Sequence, residues 1–426
     1  MRVLGIIAEY NPFHYGHLYH LLQSKKETKA DYTIAVMSGH FTQRGEAAMV
    51  DKWIRAEAAV NCGIDLVLEL PVVYAVQTAE LFAYGGIQML NNTGLVTHIS
   101  FGSETGNLSI LKQIADILVA EDIQYKELLR NYLSNGLSYP AARYNALLDY
   151  IKYSDSKKSI YDCLDLKMIK KALSGSNSIL AIEYLKALKI TNSNIIPITI
   201  PRIKSSYSDT RIKKGISSAT SIRKEILKNG MNMKVRNALP EKVYNSLSDF
   251  FDQGMGPVDN NHLGDLFLGI VRRSRLDEIA SWVDVKEGLE NRIKENAQKA
   301  TNLKEFLTMV KTKRYPLTRL QRIVIHGLLN LTDPDFQDMH RKTGPSYLRI
   351  LAFSNRALPL LKKLKKTAHV PVITKAAHIN RYGADVQKMF AYDCLATDLY
   401  ALAINNPSAR QGGRDFIHQL KPLIYP

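Results

Sequence analysis

The sequence predicts an α/β fold, with a Rossmann-like parallel sheet in the first half and a mainly α-helical domain in the second. Three observations support this prediction. Short apolar runs alternate with helix-like segments over the first hundred residues, a tyrosine-rich helical insertion covers about 107–173, and helical patterns dominate from about 233 onward. A chain of 426 residues is long enough for two domains, which we place at 1–232 and 233–426.

The predicted sheet consists of apolar runs with β-branched residues. Four of them predict consecutive strands at Arg2–Ile7, Tyr32–Gly39, Ile64–Pro71 and Val96–Glu104, and a fifth lies at Asn194–Ile203. Helices are predicted between these strands at His14–Thr28, Val50–Gly63 and Thr78–Gly94, and a later helix opens in Ser217–Leu227 with serine or threonine as its N-cap. Continuous apolar strands that alternate with helices are typical of a parallel sheet covered on both faces.

The second half is predicted to be helical, including Leu263–Trp282 and Pro345–Lys366, with one strand-like run at Val370–Thr374. The chain has no run of about 18 apolar residues, so we expect no membrane-spanning helix. The apolar run at the N-terminus is too short for a signal peptide. We therefore expect a cytoplasmic protein that does not associate with a membrane.

The cysteines indicate neither a disulfide framework nor a zinc site. Cys62, Cys163 and Cys394 are odd in number and far apart in the sequence. Free thiols agree with a reducing cytoplasm. We assign no site residue as a metal ligand; one possible ligand for Mg²⁺ is named below.

The charge is strongly basic and unevenly distributed. The net charge is +17; residues 1–232 carry 27 Lys and Arg against 21 Asp and Glu, whereas residues 233–426 carry 30 against 19. Two stretches of the second half, Phe306–Thr332 and Met339–Ala384, contain basic residues and no acidic one. Such blocks favour a polyanionic partner, because neutralising a phosphate backbone releases its counterions. The alternative is a generally basic soluble protein.

We expect these basic blocks to contact nucleic-acid phosphates. The candidate side chains are Lys311, Lys313, Arg314, Arg319, Arg341, Lys342, Lys362, Lys363, Lys365 and Lys366. The alternative for the lysines at 361–366 is one solvated face of a helix. No feature of the sequence points to a protein partner.

Three histidines follow the first strand, in the stretch GIIAEYNPFHYGHLYHLL. Metal ligation by His14 and His17 is disfavoured, since no cysteine or carboxylate ligand accompanies them. We expect a phosphate site instead, because ligands bind at the carboxyl ends of parallel strands and a helix N-terminus offers free N–H groups there. Gly16 lets a phosphate approach the backbone, and His20 is expected to play a supporting or core role.

The same residues resemble a known superfamily. His14-Tyr15-Gly16-His17 matches the H-x-G-H signature of the HIGH nucleotidyltransferases, and SATSIR (Ser218 to Arg223) resembles their second motif, with Ala219 in place of one serine. Five longer stretches resemble the bacterial tRNA(Met) cytidine acetate ligase family: IIAEYNPFHYGHLYHL, SGHFTQRGEAA, SFGSE, SNSILAIEYL and IPRI. The resemblance covers the whole chain, although its motifs are concentrated in the first 225 residues.

The resemblance implies ATP-dependent acetylation of N4 of the wobble cytidine in elongator tRNA(Met), through acetyl-AMP. The implied catalytic residues are His14, Gly16 and His17. The implied ATP contacts are Ile7, Ala8, Glu9, Tyr10, Asn11, Pro12, Phe13, His14, Tyr15, Gly16, His17, His20, Gly102, Asn177, Arg202, Ser218, Thr220 and Arg223. ATP is then a substrate, and Mg²⁺ is expected from ATP chemistry, with Glu104 as a possible ligand.

Several assignments keep alternatives. His40, Gln43 and Arg44 follow the second strand and would hold acetate or order a loop over it; the alternative is a polar connection. The alternative for Asn177 is a helix N-cap, and the alternative for Arg202 is a solvated surface charge. Lys204 is a further candidate for a contact with phosphate. Tyr10, Phe13, Tyr15 and Phe41 are the aromatic candidates to receive an unstacked base.

Two other functions remain open at this point. The first keeps the fold and changes the acceptor: a small-molecule adenylyltransferase or carboxylate–amine ligase. The large basic surface argues against it, because a small metabolite does not require one. The second is a non-catalytic RNA-binding protein, against which the intact His14, Gly16 and His17 set argues.

Overall fold

The computed structural model of this chain describes residues 1–156, 166–202, 217–258, 260–342 and 344–423, and these contain one mixed sheet. The strands are β1 (Val3–Ala8), β2 (Tyr32–Ser38), β3 (Leu66–Leu70), β4 (His98–Ser103), β5 (Ile196–Pro201), β6 (Leu348–Ser354), β7 (Val372–Ile373) and β8 (Pro422–Leu423). Their order is β5-β4-β1-β2-β3-β6-β7, and β8 also pairs with β6. Strands β1 to β5 are all parallel, which confirms the predicted α/β class.

Helices surround the sheet and make up most of the second half. Those before residue 232 are α1 (Tyr15–Thr28), α2 (Lys52–Asn61), α3 (Val72–Ala75), α4 (Ala79–Asn92), α5 (Leu108–Ala120), α6 (Ile123–Ser134), α7 (Tyr139–Ser156), α8 (Leu166–Ser174), α9 (Ser176–Ile190) and α10 (Ala219–Asn229). Those after it are α11 (Met233–Arg236), α12 (Glu241–Asp252), α13 (Asn261–Arg273), α14 (Leu276–Ser281), α15 (Leu289–Lys299), α16 (Leu303–Val310), α17 (Leu317–Leu329), α18 (Asp333–Lys342), α19 (Leu358–Thr367), α20 (Ala384–Ala401) and α21 (Arg414–Ile417). Short 3₁₀ turns lie at Asn355–Ala357, Ala376–Arg381 and Pro407–Ala409.

The two faces of the sheet carry separate apolar cores. Ile34 and Val36 of β2 pack into the core that contains α4 and α9, whereas Ala35 and Met37 pack into the core that contains Trp53 of α2. Successive side chains of a strand point to opposite faces, so one strand serves both cores. This is the burial on two faces that the apolar runs predict.

Strand β6 was not predicted. Residues 348–354 fall within Pro345–Lys366, for which a helix is predicted, but they run antiparallel to β3 and all seven are buried. A short apolar run without alternation does not distinguish a strand from a buried helix, and here it adjoins the helical spacing of α19. The strand-like run at Val370–Thr374 is confirmed as β7, although β7 has only two residues.

The sheet therefore crosses the predicted boundary near residue 232, since β6 to β8 extend a sheet that begins with β1. The division into domains 1–232 and 233–426 stays a prediction. The predicted helical insertion at about 107–173 corresponds to α5 to α8 where the structure describes it.

Some sequence-based assignments fall on residues outside the described ranges, namely Cys163, Ile203 and Lys204. Cys62 and Cys394 are free thiols. Across the ranges that the structure describes, no helix is both long and apolar enough to cross a membrane.

Candidate active site

A cavity of about 490 Å³ opens at the carboxyl ends of β1, β4 and β5, where parallel sheets bind ligands. It is lined by the segment after β1, the first turns of α1, α9 and α10, and the loop after β2. Helix α17, from the second half of the chain, supplies a further wall. The cavity thus brings together residues from all five stretches that carry the family resemblance.

His14 and His17 form a reciprocal cap at the start of α1. His14 Nδ1 accepts a hydrogen bond from the Gly16 N–H at 3.0 Å, and His17 Nδ1 accepts one from the His14 N–H at 3.3 Å. In a neutral imidazole whose Nδ1 accepts, Nε2 carries the proton; we assign this tautomer from the hydrogen bonds. Both rings line the cavity, so each can donate an Nε2–H to an anion there.

The expectation of free backbone N–H groups at this helix end is wrong. The Tyr15 N–H donates to Ala238 O at 3.3 Å, the Gly16 N–H to His14 Nδ1, and the His17 N–H to His14 O at 2.8 Å. The cap therefore replaces backbone donors with imidazole donors, while the positive end of the helix dipole remains.

Both capping histidines are neutral near pH 7. Burial lowers the pKa of His14 to about 3, and the positive charges of Arg202 and Arg223 contribute. Burial also lowers the pKa of His17 well below its ordinary value, with His14 and Arg202 adding to the effect. A neutral imidazole keeps the fixed arrangement of one acceptor and one donor on which the cap depends.

His20 lies one helical turn further along α1 and also lines the cavity. Its Nε2 is 3.0 Å from the Ser100 hydroxyl, which in turn lies 2.6 Å from the Ser24 hydroxyl. Burial and Arg202 lower the pKa of His20 to about 4. These contacts tie His20 to β4, and its supporting role stays a prediction.

Arg202 and Arg223 line the cavity together with these histidines. The side chain of Arg202 lies against Gly102, where an added Cβ would sit 3.4 Å from Arg202 Cγ. Arg223 donates from Nη1 to Asn11 O at 3.1 Å and pairs with Glu46 at 3.5 Å. Arg202 is half-buried at the end of β5, so it is not a freely solvated surface charge.

Glu104 organises the start of α9. Its carboxylate accepts from the Asn177 N–H and side-chain amide at 3.2 and 2.7 Å, and from the Ser178 N–H and hydroxyl at 2.7 and 2.6 Å. Burial alone would raise the pKa of Glu104, but these hydrogen bonds lower it. The N-cap of α9 is Gly175, so the alternative that Asn177 is the N-cap is wrong. Glu104 is committed to α9, which argues against its use as a magnesium ligand.

The loop after β2 packs over the end of β1. The Gln43 N–H donates to the Glu9 carboxylate at 2.7 Å, and the Gln43 side chain donates to Gln77 O at 2.6 Å. Burial raises the pKa of Glu9. Arg44 lines the cavity, whereas His40 lies outside it, buried between Trp53 and Tyr400. This position does not suit a direct contact between His40 and acetate.

A single buried arginine on α2 connects these loops. Arg55 donates from Nη1 to Glu9 O at 2.5 Å, from Nη2 to Ser38 O at 3.1 Å and to Gly39 O, and from Nε to Val50 O at 3.0 Å. Its guanidinium thereby joins the backbone after β1 to the backbone after β2. Sequence reasoning did not single out Arg55, because no motif marks an arginine that binds only carbonyl oxygens.

Most of the predicted site residues meet in the cavity. Those that line it are Ile7, Ala8, Glu9, Tyr10, Asn11, His14, Gly16, His17, His20, Gln43, Arg44, Gly102, Asn177, Arg202, Ser218, Thr220 and Arg223. Pro12, Phe13, Tyr15, Phe41 and His40 do not. Phe13 is buried behind Tyr10 and His17, and Tyr15 is exposed. Sequence reasoning missed further lining residues, including Glu46, Ser100, Tyr184, Thr318 and Arg322.

The predicted RNA contacts lie before and on α17, at the end of α18 and on α19. Lys311, Lys313 and Arg314 are exposed before α17, and Arg341 and Lys342 are exposed at the end of α18. Arg314 pairs with Glu287 at 2.9 Å, Lys342 with Asp338 at 2.9 Å, and Arg319 donates to Asp284 O. On α19, Lys362, Lys363, Lys365 and Lys366 are exposed around the buried Leu364.

A parallel sheet with an H-x-G-H cap at its first helix and a Ser/Thr/Arg helix in the same cavity defines a nucleotidyltransferase-type site. The family model described as HIGH Nucleotidyl Transferase matches residues 1–415. The chain is 44% identical over 418 residues to a tRNA(Met) cytidine acetate ligase of Alkaliphilus metalliredigens, covering 98% of each chain. It is also 44% identical to the enzyme of that name from Thermoanaerobacter sp., covering 99% of this chain and 100% of the relative.

Solved structures agree with these relatives. A crystal structure of Thermotoga maritima TmcAL bound with alpha-thio ATP is 34% identical and superposes with a TM-score of 0.90, covering 100% of both chains. The apo form of that protein is 35% identical, with a TM-score of 0.91 over 100% of both chains. The chain therefore belongs to the tRNA(Met) cytidine acetate ligases within the HIGH nucleotidyl transferase family, which confirms the predicted resemblance.

Proposed function

We propose that this chain uses ATP to ligate acetate to N4 of the wobble cytidine of elongator tRNA(Met). In the first step an acetate oxygen attacks the α-phosphorus of ATP, which forms acetyl-AMP and releases pyrophosphate. In the second step the N4 amine attacks the acetyl carbon, loses a proton and releases AMP. The observation that carries the proposal is the His14–His17 cap in a cavity that Arg202 and Arg223 also line, in a chain with full-length relatives of that name.

The first step needs donors aimed at phosphate oxygens and no general base, because acetate is already an anion. The Nε2–H groups of His14 and His17 supply two such donors from a fixed position. Arg202 and Arg223 supply the positive charge that the leaving pyrophosphate requires. The assignment of ATP contacts to the other predicted residues that line the cavity, from Ile7 to Asn11 and at His20, Gly102, Asn177, Ser218 and Thr220, is part of the same proposal.

Binding of ATP is supported by the TmcAL structure that contains alpha-thio ATP. For Mg²⁺, the described residues include no group of three or more His, Cys, Asp or Glu placed to hold a metal ion. The two carboxylates that line the cavity are engaged, Glu9 with the Gln43 N–H and Glu46 with Arg223. We propose that Mg²⁺ enters on the phosphates of ATP.

The tRNA is proposed to bind along the basic segments before α17, at the end of α18 and on α19. These segments supply exposed lysine and arginine side chains without a common motif, which suits phosphate contacts more than base recognition. A cytoplasmic location follows from this proposal, since its tRNA and ATP substrates are found there.

Pyrophosphate exchange tests the proposed function. We expect acetate-dependent exchange of labelled pyrophosphate into ATP, and acetylcytidine in tRNA(Met) by mass spectrometry. Absence of both results would contradict the ligase proposal and favour a non-catalytic RNA-binding protein. Exchange with acetylation of a small amine, but not of tRNA, would favour the small-molecule ligase instead.

A further inference from the structure

One wall of the cavity comes from outside the nucleotide fold. Thr318 and Arg322 of α17 line the same cavity as His17. The loop after β2 packs directly on this helix: a Cβ added to Gly45 would lie 2.3 Å from the Gln321 carbonyl carbon, and Gln321 donates to Glu46 at 3.3 Å. This close packing fixes α17 relative to the β2 loop.

The α17 wall adjoins the side of the cavity that Glu46 and Arg223 line. The positive charge of Arg202 lowers the pKa values of His14, His17 and His20, so Arg202 lies close to these three side chains of the α1 start. Arg223 instead reaches Asn11 and Glu46, and Glu46 reaches Gln321 on α17. Arg202 and Arg223 both act on His14 and so lie on either side of the proposed phosphate donors. We assign the space beside α17 to the group that attacks the acetyl carbon.

Arg322 is held in one orientation on this side of the cavity. Asp284 Oδ2 accepts from its Nε at 3.1 Å and from its Nη2 at 3.0 Å, and the Arg322 side chain is only 10% exposed. Arg319 donates twice to the Asp284 carbonyl, which steadies the acceptor in turn. A guanidinium has five N–H groups in a planar fork, so the Nη1 edge can still bind a ligand.

We propose that Arg322 reads the cytosine that receives the acetyl group, by donating to its O2 and N3 acceptors. This inference rests on the proposed function. Two adjacent acceptors suit the fork of an arginine, and their binding leaves the N4 amine free to face acetyl-AMP. Uracil carries a hydrogen on N3, so the same fork would meet a donor. Arg322 is thus a specificity-determining residue for cytosine over uracil.

The position of α17 supports this role. The basic segment Lys311–Arg314 lies immediately before the helix, so a polynucleotide bound there would reach the cavity along α17. Thr318 lies one turn before Arg322 and lines the cavity beside it. One helix therefore connects a proposed phosphate-binding segment to the proposed base-reading side chain.

The test uses Arg322→Lys in the full-length protein, because lysine keeps a positive charge opposite Asp284 and removes the planar fork. Three quantities are measured: acetate-dependent pyrophosphate exchange without tRNA, acetyl transfer to tRNA, and binding of tRNA with cytidine or uridine at the wobble position. We expect exchange within about threefold of wild type, and kcat/KM for acetyl transfer about 10- to 100-fold lower. The binding preference for cytidine should disappear.

Two further variants serve as comparisons. Thr318→Val leaves the Arg322–Asp284 pair intact and should lower acetyl transfer without lowering exchange. Arg143→Gln removes a comparable ion pair, to Glu183 at 2.6 Å, from a helix that does not line the cavity, and all three quantities should match wild type.

Two outcomes would overturn the inference. If Arg322→Lys weakens the binding of the cytidine and uridine tRNAs equally and the cytidine preference is kept, Arg322 binds a phosphate. A parallel loss of exchange would place Arg322 in the adenylation step. Absence of acetate-dependent exchange in the wild type would instead contradict the proposed function itself.

Discussion

His14 and His17 cap each other, and their rings stack with centroids 3.8 Å apart. Each Nδ1 accepts a backbone N–H of the helix start. Both rings line the cavity, where each Nε2–H is proposed to donate to phosphate. This pair of residues thus caps the start of α1 and also forms the proposed anion site. The two roles can be separated by substitution.

His14→Asn should separate them. Asparagine is a good N-cap residue, so its side-chain oxygen can accept the hydrogen bond that the Gly16 N–H donates to His14 Nδ1. It cannot place a donor where Nε2 lies. We expect the free energy of unfolding to change by less than about 1 kcal/mol, and pyrophosphate exchange to fall by about 100-fold or more.

His14→Ala is the comparison, because it removes the cap and the donor together. It should lose similar activity and about 1 kcal/mol of stability. His17→Ala should abolish adenylation while tRNA binding survives. If His14→Asn keeps full exchange activity, the imidazole is a cap and contributes no donor to phosphate.

Glu104→Gln should loosen the start of α9. The amide of glutamine has one acceptor oxygen and brings an NH₂ group against the donors of Asn177 and Ser178. We expect a loss of about 1–3 kcal/mol of stability and a higher KM for ATP, because Asn177 loses its orientation. Thermal unfolding and initial rates at varied ATP measure both effects.

The exposed Glu80, which pairs with Lys186 at 2.8 Å, offers a control for Glu104. Glu80→Gln should change stability by less than about 1 kcal/mol, because the Glu80 carboxylate is exposed and Lys186 keeps its second partner, Glu183, at 3.1 Å. An unchanged KM for ATP in Glu104→Gln would separate Asn177 from nucleotide binding.

Replacing the lysines of α19 should weaken tRNA binding. The variant changes Lys362, Lys363, Lys365 and Lys366 to alanine. If all four contact phosphates, the slope of log affinity against log salt should become shallower by about 3 to 4. Filter binding at several salt concentrations measures this slope.

Four exposed lysines of the helical insertion, Lys126, Lys152, Lys170 and Lys171, provide a control of equal charge. Their replacement should leave both affinity and slope close to wild type. Equal effects of the two sets would mean that tRNA responds to net charge, and that α19 presents an ordinary solvated face.

Stability should fall as the pH drops below about 6.5. Burial lowers the pKa values of His14, His40 and His326, so the folded protein holds them neutral, while the unfolded chain takes up protons near pH 6.5. Each histidine then costs up to about 1.4 kcal/mol per pH unit, from pH 6.5 down to its folded value, which is about 3 for His14. Above pH 7 these groups contribute no slope.

Urea unfolding at pH 5.5, 6.5 and 7.5 measures this dependence. His40→Gln should reduce the slope, because among the described residues neither ring nitrogen of His40 has a hydrogen-bond partner to offset its burial. His262→Gln, at an exposed position of α13, should not. Equal stability at pH 5.5 and 7.5 would contradict the neutral state of the buried histidines.

The sequence predicts the parts of the site that are contiguous. His14, Gly16 and His17 lie within four residues, and the strands around them are continuous apolar runs that alternate with helices. Both the motif and the strands can therefore be predicted. Arg55 and Arg322 were not predicted, because their roles come from tertiary packing: one reaches carbonyl oxygens of two loops, and the other arrives on a helix from the second half of the chain. Strand β6 was missed because residues 348–354 are buried on both faces and show no alternation.

The antiparallel pairing of β6 with β3 has a consequence for synthesis of the protein. Strand β6 covers one edge of β3, where the buried Glu69 pairs with Arg349 of β6 at 3.1 Å. This edge stays open until residues 348–354 leave the ribosome. A nascent chain that has emerged only to residue 232 exposes this edge, where strands of other chains can pair. During translation, the sheet that carries His14 and His17 is therefore completed only by a strand from the last quarter of the chain.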